Sequence, residues 1–196
     1  GHDTVTTTIK WALYLIGHHP EVQQKIHQEV DSLLEGDAQR PLSVDDLNDL
    51  KYLDCVLKEC NRLYPSVPLF GRHIYEETKI CGYTTPKGTS AIVMTYFLHR
   101  DEDVFPDPRN SIRKGFFQKT KIRFLSLLTF LLELELELYR TVVRRDGGED
   151  HGVSHFEKLL HSLSDSRDKV LPVMNLTLQS SQPFRIRFRQ RHNNNK

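Results

Sequence analysis

Glu59 and Arg62 stand three residues apart in the run Leu57-Lys58-Glu59-Cys60-Asn61-Arg62-Leu63-Tyr64-Pro65, a helical spacing that sets both charges on one face. The helix must stop before Pro65, because a residue preceding proline is steered out of the α region. Opposite charges so placed form an ion pair, and in most soluble helices such a pair lies at the surface and does nothing more. Asp3 and Thr4 put an acid and an alcohol at the start of another helix, where the acid complements the helix dipole. Arg72 offers a planar guanidinium suited to gripping a carboxylate, or is a surface arginine on a strand. Val67, Leu69 and Phe70 are by composition ordinary core. The three cysteines, Cys55, Cys60 and Cys81, are irregularly spaced and suit reduced thiols better than a disulfide framework or a zinc site. His18 and His19 are the densest pair among the ten histidines, but consecutive residues diverge around a helix or turn and make a poor paired ligand.

The elements that must position these groups can be read from periodicity and punctuation. Val5, Ile9, Ala12, Leu13 and Ile16 recur at helical spacing, which predicts a helix over Thr4 to Gly17, ended by Gly17-His18-His19-Pro20. Pro20 suits the first position of a second helix running to about Leu34. Ser43 with Asp46 before Leu47 is an imperfect capping signal for a short third helix, which leads into a fourth over about Lys51 to Leu63. From Leu69 to His99, β-branched and aromatic runs are separated by Gly82, Pro86 and Gly88, as expected of strands and tight turns. Asn175 to Arg189 alternates like a hairpin about Ser180, Ser181 and Pro183, and His192 to Lys196 reads as a disordered tail. The sum is a mainly α chain with small β-sheets, an α+β class.

The 196 residues could bury one ordinary core, and 38% hydrophobic with 27% charged residues is the balance of a soluble globular sequence. A formal charge of +1, with basic residues scattered, supplies no electrostatic reason to bind nucleic acid. No stretch of this sequence reads as a signal peptide. The apolar run Phe124 to Leu132 is shorter than the ~20 residues a spanning helix needs. Leu132 to Leu138, LELELEL, alternates with period two and reads as a strand or, unpaired, as an aggregation hazard. The first helix begins without lead-in or cap, which predicts a fragment that lacks what precedes it, including any membrane anchor.

Taken together, Gly1-His2-Asp3-Thr4-Val5-Thr6-Thr7, the Glu-x-x-Arg helix and Phe105-Pro106-Asp107-Pro108 resemble, in order and spacing, the cytochrome P450 haem-thiolate monooxygenases. The likeness runs from Gly1 to about Pro108 through HHPEVQQKIHQEV, DLKYLDCVLKECNRLYPSVPLFGR and FLHRDEDVFPDP, and is nearest the fatty-acid hydroxylase branch. A weaker likeness, Asp168 to Arg191, is similar to the family's terminal β-hairpin. The resemblance implies haem b as cofactor and an NADPH-dependent reductase as electron donor. It further implies the endoplasmic reticulum membrane as location and hydroxylation of a fatty acid or other lipophilic substrate with O2. By the same resemblance Asp3 and Thr4 deliver protons for oxygen activation, and Glu59 with Arg62 is a buried structural pair. Arg72 then meets a haem propionate, and Val67, Leu69 and Phe70 contact substrate. The usual third partner of the pair, an arginine in a P-x-R-F segment after Pro108, is not recognisable.

The family's F-x-x-G-x-R-x-C-x-G loop, which carries the iron-ligating cysteine, is missing, since no cysteine follows Cys81. The genetic code suggests why. Permitted codons for Glu137 to Ser154 (ELYRTVVRRDGGEDHGVS), read one base later, supply Asn-Cys-Ile-Gly-Gln-x-Phe-Ala-x-Met-Glu-Glu-Lys, which resembles the missing loop and the start of its following helix. Fixed second letters leave few options at most positions, which argues against coincidence. The sequence therefore predicts three parts: a partial family domain over 1–118, an out-of-frame segment over 119–154, and a terminal hairpin region over 155–196 in the native frame. Leu131 to Leu136 does not shift cleanly into the family pattern. The chain as written is expected to be inactive, and the alternative reading is a helical scaffold or interaction fragment that has lost haem.

Overall fold

A computed structural model describes residues 2–34, 44–105, 159–163 and 170–190. The expectations for Ser43, for 106–158 (including the 119–154 segment, Phe124 to Leu132 and LELELEL) and for the tail from His192 lie outside the described residues. Among the described residues four helices come first, α1 (His2–Gly17), α2 (Pro20–Leu33), α3 (Val44–Asp49) and α4 (Lys51–Leu63), and a short α5 (Thr95–Leu98) follows the fourth strand. Among the described residues eight strands form four antiparallel pairs. β1 (Phe70–His73) pairs with β4 (Ser90–Val93), and β2 (Thr78–Ile80) with β3 (Tyr83–Thr85). β5 (Leu159–Leu163) pairs with β8 (Ile186–Gln190), and β6 (Pro172–Met174) with β7 (Leu178–Ser180).

The helix boundaries follow local chemistry. Pro20 occupies the first turn of α2, where its missing N–H costs nothing. The first turn of α4 is capped from another helix: the Glu29 carboxylate of α2 accepts the N–H groups of Tyr52 at 2.6 Å and Leu53 at 2.9 Å. Two orphan donors of the helix end are thereby satisfied by a negative charge the dipole favours. α4 ends at Tyr64, which leaves the helical region (φ −132°, ψ 71°) ahead of Pro65. The reversal between β2 and β3 turns on Cys81 and Gly82, with φ of +51° and +85°. Two successive positive φ values suit the twist of a two-residue hairpin.

α1 forms as its spacing predicts; its buried residues are Thr7, Trp11, Ala12, Tyr14, Leu15 and Ile16, whereas Val5, Ile9 and Leu13 are only half-buried. Aromatic stacking decides this: Trp11 lies flat on Tyr64, centroids 4.1 Å apart, and hydropathy undervalues tyrosine and threonine. Residues 95–98 form a helical turn rather than continuing the strands, because Tyr96 N–H donates to Pro68 O (3.1 Å) and the Thr95 hydroxyl to Val67 O (2.7 Å). Asn175 to Arg189 is not one hairpin. The chain reverses at residues 175–177, and β8 runs back along β5. Ser181 still belongs to the β6 side, exchanging bonds with Leu171 through its N–H (2.8 Å) and Oγ (2.9 Å), and Pro183 lacks the N–H needed to go on.

The main core gathers Trp11, Tyr14, Leu15, Val22, Val56, Cys60, Leu63, Val170 and Leu178. α1 packs on both α2 and α4, and a smaller cluster of Val30, Leu34 and Leu50 fills the far end of α2. The frame thus holds the last turn of α4 against α1 on one side and α5 on the other.

Candidate functional site

In the last turns of α4, Glu59 and Arg62 are each 3% exposed. They form a two-point pair: Arg62 Nε donates to Glu59 Oε2 at 2.8 Å and Nη2 to Oε1 at 2.7 Å. The third guanidinium nitrogen, Nη1, donates to the carbonyl of His99 at 2.6 Å, and the Phe105 ring lies 4.9 Å from the guanidinium carbon. A buried pair of charges offsets its desolvation only when the remaining donors are satisfied, and here a backbone carbonyl and an aromatic face share that task. The arginine expected from a P-x-R-F segment has no counterpart among the described residues.

His99 completes a reciprocal clasp. Its Nδ1–H donates to the Arg62 carbonyl at 3.0 Å while its own carbonyl accepts from Arg62. Burial, aided by the Arg62 and Arg100 cations and partly opposed by that hydrogen bond, holds its pKa down to about 4, so the ring is neutral near pH 7. Arg100 caps the same helix end, donating to Leu63 O and to Tyr96 O (3.0 Å) and lying 3.7 Å over the Tyr96 ring. Cations over the last carbonyls of a helix complement its dipole. Spacing within α4 reveals none of this, because His99 and Arg100 lie 37 residues on from their partners. The His99-Arg100 dipeptide inside the resembling run was the one available signal.

The other expected site residues fall elsewhere. Asp3 is exposed and Thr4 half-buried in the first turn of α1, where the Thr4 carbonyl accepts the Thr8 hydroxyl at 3.0 Å. Val67, Leu69, Phe70 and Arg72 follow α4 in one extended run, with Val67 and Phe70 half-buried and Leu69 and Arg72 exposed. The Arg72 guanidinium lies 5.2 Å over the Phe70 ring. His18 and His19 diverge: His18 Nδ1–H donates to Tyr14 O at 2.9 Å, while His19 Nδ1 faces Glu21 Oε1 at 3.4 Å.

The cysteines decide what cofactor the residues suit. Cys60 is 1% exposed inside α4, and burial together with Glu59 pushes its thiol far up, away from a thiolate. Burial, with Asp54 adding to it, also raises the half-buried Cys55 thiol. Cys81 is exposed at the β2–β3 turn. Among the described residues no group of three His, Cys, Asp or Glu side chains could hold a metal ion. No described helix is long and apolar enough to cross a membrane.

The chain belongs to the cytochrome P450 family, whose family model matches residues 1–113. It is 50% identical over 117 residues to mouse (Mus musculus) "Cytochrome P450 4V2", a match covering 60% of this chain and 22% of that relative. To fruit fly (Drosophila melanogaster) "Cytochrome P450 4c3" it is 45% identical over 108 residues, 55% of this chain and 20% of the relative. Cockroach (Blattella germanica) "Cytochrome P450 4c21" is 41% identical over 109 residues, 56% of this chain and 22% of the relative. The chain spans about a fifth of the length of the curated relatives it matches. Haem is the family's cofactor, and these residues do not fit it as a thiolate-ligated group: Cys55 and Cys60 lie within α4 with raised thiols, and Cys81 sits in the two-residue turn of the β2–β3 hairpin, not in a glycine-rich loop whose backbone donors would hold the sulfur.

Proposed function

We propose that this chain derives from a haem-dependent monooxygenase acting on fatty acids or other lipophilic substrates, and that as written it lacks the means to carry out that reaction. The observation that carries the first half is the dry, fully paired Glu59–Arg62 clasp in a chain of this family, an arrangement that an incidental surface pair would not need. The second half rests on the cysteines, none of which follows Cys81. In this reading Glu59 and Arg62 hold the end of α4 in place. Arg72 offers its guanidinium to a haem propionate, and Val67, Leu69 and Phe70 line the substrate side. Asp3 and Thr4 occupy the positions of a proton path. A reductase drawing on NADPH and the endoplasmic reticulum membrane are the corresponding partner and location.

Residues 1–118 are the retained family part, 119–154 an out-of-frame stretch in place of the haem loop, and 155–196 the return to the terminal region. Nucleotide sequence of the locus and its transcript tests this. Codons for Glu137 to Arg140 are expected to read Asn-Cys-Ile-Gly one base later. Bases unable to encode cysteine in that frame would make the chain a divergent, cysteine-free relative. The second reading, a scaffold that keeps the fold without haem, is favoured by the thorough pairing around Arg62, which requires no cofactor to be complete.

A further inference from the structure

The family match ends at residue 113, yet the core that joins α1 to the end of α4 is closed by residues far beyond it. Leu178 is fully buried, and both of its backbone groups are spoken for across long sequence distances. Its N–H donates to Ser66 O at 2.9 Å, and its carbonyl accepts Trp11 Nε1–H at 2.8 Å. Val170, 4% exposed, joins the same cluster. Phe184 packs edge-on to Trp11 at 5.0 Å and stacks on Tyr14 at 4.8 Å. Between these anchors the chain turns other residues outward: Leu176, two positions before Leu178, is 92% exposed.

A peptide read in the wrong frame has no reason to turn apolar side chains onto one core at Val170, Met174, Leu178 and Phe184. Nor would it match a buried indole N–H to a carbonyl, when an unpaired buried donor is costly. We propose that residues 170–184 are a native clasp that locks α1 to the segment following α4, and that the interrupted stretch gives way to the native register before Val170. The register half rests on the out-of-frame reading of 119–154; the clasp half does not. Any frame change upstream is then compensated before codon 170, so that it displaces the haem loop while leaving the closure of the core intact.

Trp11 is the single tryptophan of the 196-residue chain, so its fluorescence and indole-proton exchange report the clasp in that chain. Leu178→Asp is expected to shift Trp11 emission to longer wavelength and to speed exchange of its indole proton by an order of magnitude or more. Leu176→Asp, on the same hairpin, should change neither. Should Leu178→Asp fail to fold, Leu178→Ala and Leu178→Met decide by the same exchange measurement, with faster exchange expected in the alanine variant and near-native exchange in the methionine variant. Equal responses at positions 176 and 178, or an unchanged indole in Leu178→Ala, would overturn the clasp. Sequencing across codons 119–154 bears on the frame alone, so the two ideas fail separately.

Discussion

Arg62 and Arg72 each lay a guanidinium over a phenylalanine ring, 4.9 Å from Phe105 and 5.2 Å from Phe70, and share little else. Arg62 is buried, forked onto Glu59 and tied to His99, so every part of its charge has a fixed partner. Arg72 stands exposed on β1, opposite Ala91 of β4, in a small sheet whose Ile92 is 68% exposed. The contact geometry is alike, but solvent separates the consequences: a desolvated cation–ring contact is worth ~2 kcal/mol or more, an exposed one ~0.5–1 kcal/mol. The partners of Arg62 are supplied by α4 and by the stretch from His99 to Phe105, whereas the Arg72 side chain is open to solvent.

The most severe way to break that contrast is Arg62→Ala, which strands the Glu59 carboxylate in the core and is expected to cost ~3–5 kcal/mol. Arg72→Ala should leave the denaturation midpoint within error, and comparable losses at both positions would erase the distinction. A double replacement, Glu59→Met with Arg62→Met, should recover much of the loss, since apolar residues of similar size often substitute well for a buried pair.

Acid provides the next largest effect. His99 is held neutral to about 4, against 6.5 for the free side chain, so above pH 6.5 folded and unfolded states are both neutral there and stability is full. As pH falls from 6.5 to 4 the unfolded state takes up a proton the folded state refuses, and roughly 3 kcal/mol should be lost. Chemical denaturation across that window should show a slope that His99→Gln flattens; an unaltered slope would mean that other groups carry it. Smaller still, Glu29→Ala removes the cap shared by Tyr52 and Leu53 and should cost about 1 kcal/mol. The half-exposed Asp54–Lys58 pair at 2.8 Å should contribute no more than ~0.5 kcal/mol, which a double-mutant cycle would measure.

What could be read in advance depended on range along the chain. α2 and α4 are announced by periodicity and by Pro20 and Pro65, local signals that act within one turn, and their bounds fall within a residue or so of those expected. The proximity of Glu59 and Arg62 is likewise inherent in a spacing of three. The clasp by His99, the Trp11–Leu178 bond and the β5–β8 pairing join residues from 23 to 167 positions apart, and no periodicity records them. α5 was hidden for the same reason, since bonds to Val67 and Pro68 outweigh the strand preference of its aromatic and β-branched residues. The lack of a cysteine after Cys81 needed no structure at all, yet the structure gives it force by showing that Cys60 is locked in a helix beside Glu59.

The central claim, a cytochrome P450 family chain without a thiolate ligand, is tested most directly by the carbon monoxide difference spectrum of the purified, haem-supplemented and reduced protein. The expected spectrum lacks the red-shifted Soret band of thiolate-ligated iron at every ratio of haem to protein. A shifted band that titrates with the chain, and is lost when Cys55, Cys60 or Cys81 is replaced by alanine, would contradict it.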